Sequence, residues 1–243
     1  MSWNDLFVNM DNTNFFNFSF LPKYGAAFVR GFEYTLLLAI VSVLLAVIPA
    51  LLLAMKRLSK NKPIKWLAGA YIAVFRSTPM LVQLSIIYFG LFHYITLPRT
   101  PLFGFIAVNR FVPGVVALAL NSSAYVAEIF RAGILAVDQG QTEAARSLGL
   151  SRWQSMRLVV LPQAIKNVLP ALANEVVTMV KESSICSVLG MAEIMYTAQT
   201  VSGNSYITLA PYVLAAIIYF CINYPASKAI EAIERRMRRG DKQ

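Results

Sequence analysis

Residues 138–162 read Asp138-Gln139-Gly140-Gln141-Thr142-Glu143-Ala144-Ala145-Arg146-Ser147-Leu148-Gly149-Leu150-Ser151-Arg152-Trp153-Gln154-Ser155-Met156-Arg157-Leu158-Val159-Val160-Leu161-Pro162, a polar stretch set between long apolar segments. Asp138 and Gln141 have the spacing of a capping box, so a short helix is expected to begin there. Gly149 suits the left-handed position that ends such a helix. Ser151 and Gln154 repeat the capping box, and Pro162 marks the next boundary. Two short helices meeting at a glycine corner predict a compact knob outside a bilayer.

The rest of the chain supplies the bilayer reading. It is 57% hydrophobic and only 14% charged, too apolar for an ordinary soluble domain. Its 243 residues suffice for one bundle and are too few for a bundle plus a soluble enzyme domain. Cys186 and Cys221 both sit in apolar segments and imply neither a disulfide framework nor a metal site.

Five apolar segments can be laid out. Tyr34 to Met55 is uncharged and long enough to span unaided. The second runs from Trp66 to about Tyr94, interrupted at Arg76-Ser77-Thr78-Pro79, and the third from Phe111 to Ala136. The fourth covers Pro162 to Gly190 and the fifth about Tyr206 to Ile230. Basic residues orient them. The loop 56–65, the insert 137–161 and the tail 233–243 hold thirteen lysines and arginines, whereas residues 1–33, 96–109 and 191–205 hold only Lys23, Arg30 and Arg99. Basic flanks favour the cytoplasmic face. Five spans with the N-terminus outside put all thirteen inside; splitting the second segment at Pro79 would send the insert outside. The expected fold is therefore all-α and polytopic, five transmembrane helices with a short helix pair between the third and fourth. No cleavable signal peptide is expected, because Asp5 and Asp11 stand where a basic region would be. Phe15, Phe16, Phe18 and Phe20 suggest an aromatic segment at the outer interface. The basic tail is read as lying beside anionic lipid, and nucleic acid is set aside.

No G-x-x-x-x-G-K-[S/T] phosphate loop occurs, and His93 is the lone histidine. The chain is not expected to be an enzyme or to hold a cofactor or metal. If it moves a solute uphill, the energy comes from a partner or an ion gradient.

Glu143-Ala144-Ala145, then Gly149, then Leu161-Pro162 resembles the E-A-A loop of ABC-importer permeases. Phe75-Arg76-Ser77-Thr78-Pro79-Met80-Leu81-Val82-Gln83 is similar to the F-R-G-T-P-L-x-V-Q segment of that family's polar amino-acid branch (histidine, glutamine, glutamate, arginine). Asn121-Ser122-Ser123-Ala124-Tyr125 with Glu128 to Ile134 resembles its third span, and Leu169-Pro170-Ala171-Leu172, Asn174-Glu175 and Lys181-Glu182-Ser183-Ser184 its fourth. Ser77 departs from the usual glycine. The resemblance covers roughly residues 30–230. It implies the MetI-like transmembrane fold, a bacterial inner-membrane location, and alternating access driven by ABC ATPase subunits that dock on the insert. It further implies a periplasmic or lipid-anchored amino-acid-binding protein and a second permease copy or paralogue. On it, Glu143, Ala144, Ala145, Arg146 and Gly149 form the ATPase-docking site. The chain divides into residues 1–28 (extracytoplasmic interfacial segment), 29–232 (transmembrane domain, coupling region 138–161) and 233–243 (basic cytoplasmic tail).

Arg76, Glu128, Arg131, Glu175, Lys181 and Glu182 fall inside the expected spans. Ionisable groups cost ~2.5–3.5 kcal/mol each on insertion scales, so they should face the interior, partners or water. Glu128 and Arg131, three apart, either neutralise one another or line the substrate pathway. Lys181 and Glu182 point about 100° apart and serve different environments. Glu175 lies mid-span beside the helix interruption at Pro170, where transport sites tend to occur; it either contacts substrate or pairs with Arg76. Asn121, Ser122, Ser123 and Ser183 offer neutral hydrogen bonds to an amino acid, or simply let helices pack closely. The competing class is an ion-gradient-driven secondary amino-acid transporter with Glu128 or Glu175 as carrier; internal repeats typical of such folds are not evident.

In a cysteine-free background, a cysteine at Ser59 should react with an impermeant thiol reagent only from the cytoplasmic side, and one at Ser202 only from outside. Labelling of both from one face would contradict five spans.

Overall fold

The computed structural model describes residues 16–98 and 100–239. The uncharged run from Tyr34 lies inside a longer helix, α1 (Leu21–Leu58), opened by Pro22 in its first turn and closed at Lys56 and Arg57. Its 38 residues rise about 57 Å, more than the ~30 Å of hydrocarbon, so α1 overreaches the bilayer core or tilts. Buried positions recur every three or four residues and are largely small: Ala39, Ser42, Ala46, Ala50 and Ala54. Small side chains let a neighbouring helix approach closely. Ile40, Leu44, Ile48 and Leu52, on the other side, are 44–71% exposed, the apolar stripe of a helix that faces lipid.

α2 (Lys62–Ser77) starts at Asn61, whose side chain accepts from the Ile64 N–H, with Pro63 in the first turn. Pro79 stops it. α3 (Met80–Ser85) then leaves at 106° and runs on as a π-helical turn over Ile86–Leu91. The interruption read in the sequence at residues 76–79 is thus a sharp bend. A two-residue antiparallel hairpin follows, β1 (Pro101–Leu102) with β2 (Ile106–Ala107), the one addition to an otherwise helical fold among the described residues.

α4 (Val108–Leu135) is the centre: 67% of its most apolar window is buried, against 6% for the last helix. α1, α2 and α7 pack around it. The insert is α5 (Gln139–Ser147) and α6 (Arg152–Ser155). Pro162 does not end anything. It lacks the N–H an α-helix would use and crowds the turn before it. That turn widens to π geometry over Met156–Val160, with the Leu161 N–H bonded to the Met156 carbonyl, and the helix continues as α7 (Leu161–Glu182), which passes through Pro170 without the interruption expected there, a correction. α6 and α7 are therefore one rod. A 3₁₀ segment (Ser183–Leu189), α8 (Ile194–Ser205) and α9 (Ala210–Arg239) complete the chain.

The main core joins α1, α3, α4 and α7 through Leu38, Leu84, Leu118 and Met179, with Met191 from the link before α8 packed among them. A second cluster packs Phe20 and Phe28 against Ile194, Ala198 and Val201 of α8. Phe20 is only 4% exposed and belongs to that core; Phe16 is exposed and Phe15 lies outside the described residues. The 28/29 boundary falls inside α1, and the tail from residue 233 begins inside α9. Among the described residues three helices are long and apolar enough to cross a membrane, α1, α4 and α9, or four with the bent α2–α3 pair. α7 is more polar, carrying Lys166, Asn167, Asn174, Glu175, Lys181 and Glu182. A helix like that belongs inside a bundle rather than against lipid.

Gly31 marks the closest approach of α1 to α8: a Cβ there would lie 2.9 Å from Thr197 Oγ1 and 3.2 Å from the Glu193–Ile194 backbone. Gly31→Ala should cost about 1–3 kcal/mol, read as a lower melting temperature in detergent, because backbone cannot step aside. Gly25→Ala, with open space around it, should leave melting unchanged or slightly raised. Equal effects would contradict this packing.

Candidate functional site

The insert is built by local hydrogen bonds. Asp138 caps α5 by accepting from the Gly140 N–H at 2.7 Å. The reciprocal arm of a capping box is missing, a correction: the Gln141 side chain instead accepts from Gln163 Nε2 at 3.3 Å, tying the insert to the base of α7. The second box is complete, with Ser151 Oγ accepting from Gln154 N–H at 3.2 Å and Gln154 Oε1 from Ser151 N–H at 2.8 Å. Between them Gly149 has φ +85°. Its N–H bonds the Arg146 carbonyl and the Leu150 N–H the Ala145 carbonyl, the pairing of a Schellman motif. Arg146 Nη1 donates to the Leu150 carbonyl at 2.9 Å. Ala145 is buried under the corner, while Glu143, Ala144, Arg146 and Gly149 are exposed. Leu148 (85% exposed) and Trp153 (70%) stand out from this polar surface.

Within the bundle, three consecutive residues of α4 engage three different elements. Asn121 Nδ2 donates to Gln83 Oε1 at 2.9 Å and lies 3.3 Å from the Phe75 carbonyl, at the α2–α3 bend. Ser122 Oγ donates to Glu175 Oε1 of α7 at 2.8 Å. Ser123 Oγ lies 2.9 Å from the Tyr71 hydroxyl of α2 and donates to the Leu120 carbonyl at 2.7 Å. Asn121 and Ser123 are thus committed within the bundle.

Glu175 is 7% exposed. Among the described residues no basic side chain is paired with it, so the alternative of an ion pair with Arg76 gives way to the serine hydrogen bond. Arg76 instead lies over the Tyr125 ring, 5.3 Å from its centroid. With Arg57, Gly69, Ser77 and Glu128 it lines a cavity of about 440 Å³ that Glu175 does not line. Arg131 closes on Glu128 Oε2 through Nε (2.8 Å) and Nη2 (2.7 Å), the mutual neutralisation read from their spacing. Arg57 joins from α1 at 3.7 Å. Lys181 is exposed and Glu182 half-buried. Ser183 is buried and donates to the Val180 carbonyl at 2.8 Å. A larger cavity of about 550 Å³ between α7 and α9 is lined by Asn167, Pro170, Asn174, Ser227 and Glu231 among others; Asn174 carries it to the residue beside Glu175.

Two residues escaped the sequence reading. Gln83 is buried at the bend; its signal was its position one turn beyond Pro79. Glu193, fully buried, caps α8 through Met195 and Tyr196 N–H and accepts from the Tyr219 hydroxyl at 2.7 Å. Burial pushes its carboxyl up to about 7 against the pull of those donors. A glutamate before a modestly polar segment gives no warning of such burial.

A helical polytopic membrane protein with an exposed insert and a polar interior is the class this geometry defines. Residues 42–239 match the family described as binding-protein-dependent transport system inner membrane component, and the chain belongs to that family. It is 39% identical to the arginine transport system permease protein ArtQ of Bacillus subtilis, over 88% of this chain and 93% of that one. It is equally 39% identical to a putative glutamine transport system permease protein GlnP of Rickettsia typhi, over 90% and 95%. A solved amino acid ABC transporter with histidines aligns over 90% of this chain and 98% of that chain, at 46% identity and TM-score 0.81. The MetNI methionine ABC transporter, at 21% identity and TM-score 0.65, shares the fold.

Glu175→Gln should melt within about 1 °C of the parent, because Ser122 still donates to the amide oxygen and no buried cation is left unpaired. Removing one member of a buried ion pair would cost about 3–5 kcal/mol; a loss of that size would mean that a cation faces Glu175 after all.

Proposed function

We propose that the chain is the membrane-spanning permease subunit of an ATP-driven importer of polar amino acids. The observation that carries this reading is its similarity, over nearly the whole of both chains, to a permease named for arginine and to a solved amino acid ABC transporter. ATP hydrolysis belongs to separate ABC ATPase subunits, and an amino-acid-binding protein delivers the solute from outside. The permease works as a dimer with itself or a paralogue. Family membership also weighs against the ion-gradient alternative.

In this reading the protein crosses the bacterial inner membrane five times, with α1, the bent α2–α3 pair, α4, α7 and α9 as spans, the N-terminus outside and the C-terminus cytoplasmic. Basic residues around the insert and at both cytoplasmic ends support that orientation. The ATPase grips the insert, where Glu143, Ala144 and Arg146 frame the Gly149 corner and Leu148 and Trp153 supply apolar contact. The continuity of α6 with α7 supports a direct transmission. Arg152 and Glu175 lie on one continuous helix, about 35 Å apart at 1.5 Å per residue, so a push on the insert reaches the carboxylate through the π turn and Pro170 of that helix.

Glu175 is the substrate contact. A buried carboxylate with a serine donor and no cation of its own is suited to an ammonium, guanidinium or amide N–H. Ser122 orients it, Asn174 faces the polar cavity alongside, and Lys181, Glu182 and Ser183 continue the path along α7. Arg76 and Glu128 line the pathway from the α2–α4 side, where Arg76 offers a partner for a carboxylate.

The test uses the purified complex in vesicles with internal ATP. Glu175→Gln should lower uptake of a cationic amino acid by roughly one to two decades in affinity, the worth of about 1.5–3 kcal/mol for a charge-assisted hydrogen bond. Gly149→Val should abolish uptake and ATPase co-purification, since a β-branched residue is an outlier at positive φ. Normal uptake by Glu175→Gln would remove Glu175 from the pathway, and normal coupling by Gly149→Val would remove the insert.

A further inference from the structure

In an unbroken helix the Phe75 carbonyl would accept from the N–H four residues on, which is Pro79 and has none. Thr78 between them is extended (φ −109°, ψ 145°), so its carbonyl also leaves the helical ladder. The Val82 and Gln83 N–H groups, which might have served these acceptors, both turn to the Pro79 carbonyl at 3.0 and 3.2 Å. The Phe75 and Thr78 carbonyls are thus among the main-chain acceptors released at the bend, beside the buried Gln83. Each is costly unless another donor is found.

Gln83 supplies it. Its Nε2 lies 2.8 Å from the Phe75 carbonyl, 3.0 Å from the Thr78 carbonyl and 2.7 Å from Thr78 Oγ1. Its Oε1 accepts from Asn121 Nδ2 at 2.9 Å, and that nitrogen also lies 3.3 Å from the Phe75 carbonyl. Neither amide can be reversed: doing so would set oxygen against oxygen. Both side chains are 7% exposed. One residue further along α4, Ser122 holds Glu175. The bend and the carboxylate are therefore registered to consecutive residues of the same central helix.

We infer that Gln83 and Asn121 are positioning residues for transport: they clamp the bend of the second span at a fixed angle and depth beside Glu175. Asn121 acts through Gln83, and its amide is not a substrate ligand. The clamp goes beyond the proposed import function and leans on it only where uptake is the readout.

Pro79→Ala provides the decisive control. It restores an N–H at position 79, so the Phe75 carbonyl can be satisfied inside a straighter helix without Gln83. In the reconstituted complex, Gln83→Leu should lower the melting temperature by about 3–8 °C and uptake of radiolabelled arginine or glutamine by roughly 10-fold or more. Gln83→Leu with Pro79→Ala should regain the melting temperature while uptake stays depressed, because the acceptor is satisfied and the bend is not held. Asn121→Leu, which keeps the contacts of Gln83 to the bend but removes its anchor on α4 and leaves Gln83 Oε1 without a donor, should depress uptake and lower melting by no more than Gln83→Leu does. The inference is overturned if uptake returns together with stability in the double variant, or if Asn121→Leu transports normally. Should the parent complex show no ATP-driven uptake of either amino acid, the import reading fails instead. The melting arm then decides the clamp, and an unchanged melting temperature for Gln83→Leu overturns it.

Discussion

The arrangement rests on how α4 spends the polar side chains of residues 121–123. In a bilayer interior each polar group needs a partner within the protein. Successive residues of a helix point about 100° apart, so three in a row reach three directions. Asn121 takes the bend of the second span, Ser122 takes Glu175 on α7, and Ser123 takes Tyr71 on α2. One short stretch of the most buried helix thereby sets the relation between a broken span, a charged helix and their neighbour. Apolar packing alone would set those relations loosely, since lipid solvates leucine as well as another helix does.

Around that point the fold obeys two separate demands. Small residues on the inner stripe of α1 bring it close to α4, while its large aliphatic residues face out. α7 does the reverse, gathering lysine, asparagine and glutamate that no lipid-facing helix would carry. Because α7 continues from α6, which starts just after the proposed docking corner, one helix leads from that corner to the proposed substrate contact. Proline makes the difference between the two interrupted regions. Pro162 widens a turn and the helix passes on, whereas Pro79, beside an extended Thr78, turns the chain through 106°.

Much of this was legible in the residues. The long uncharged run of α1, the Ser151–Gln154 box and the left-handed Gly149 follow from local rules, and each was found in place. Glu128 with Arg131 also followed from a three-residue spacing. What escaped depends on tertiary contact. Whether Gln141 reaches back to its own cap or across to Gln163 is decided by the neighbouring helix, not by spacing. Pairing of Glu175 with Arg76 was plausible by charge alone, yet the tyrosine ring of α4 holds the arginine elsewhere. The burial of Phe20 could not be read from its phenylalanine-rich segment, because it depends on α8, a helix with no strong sequence signature, packing over it.

In the proposed mechanism this chain provides a path whose opening is driven from the insert by a separate ATPase. The most direct measurement is uptake of radiolabelled amino acid into vesicles carrying the purified complex, with the binding protein outside. Uptake is expected when ATP is enclosed, none with a non-hydrolysable analogue, and no effect of ionophores that collapse proton and sodium gradients. Accumulation driven by an imposed ion gradient in the absence of ATP would contradict it.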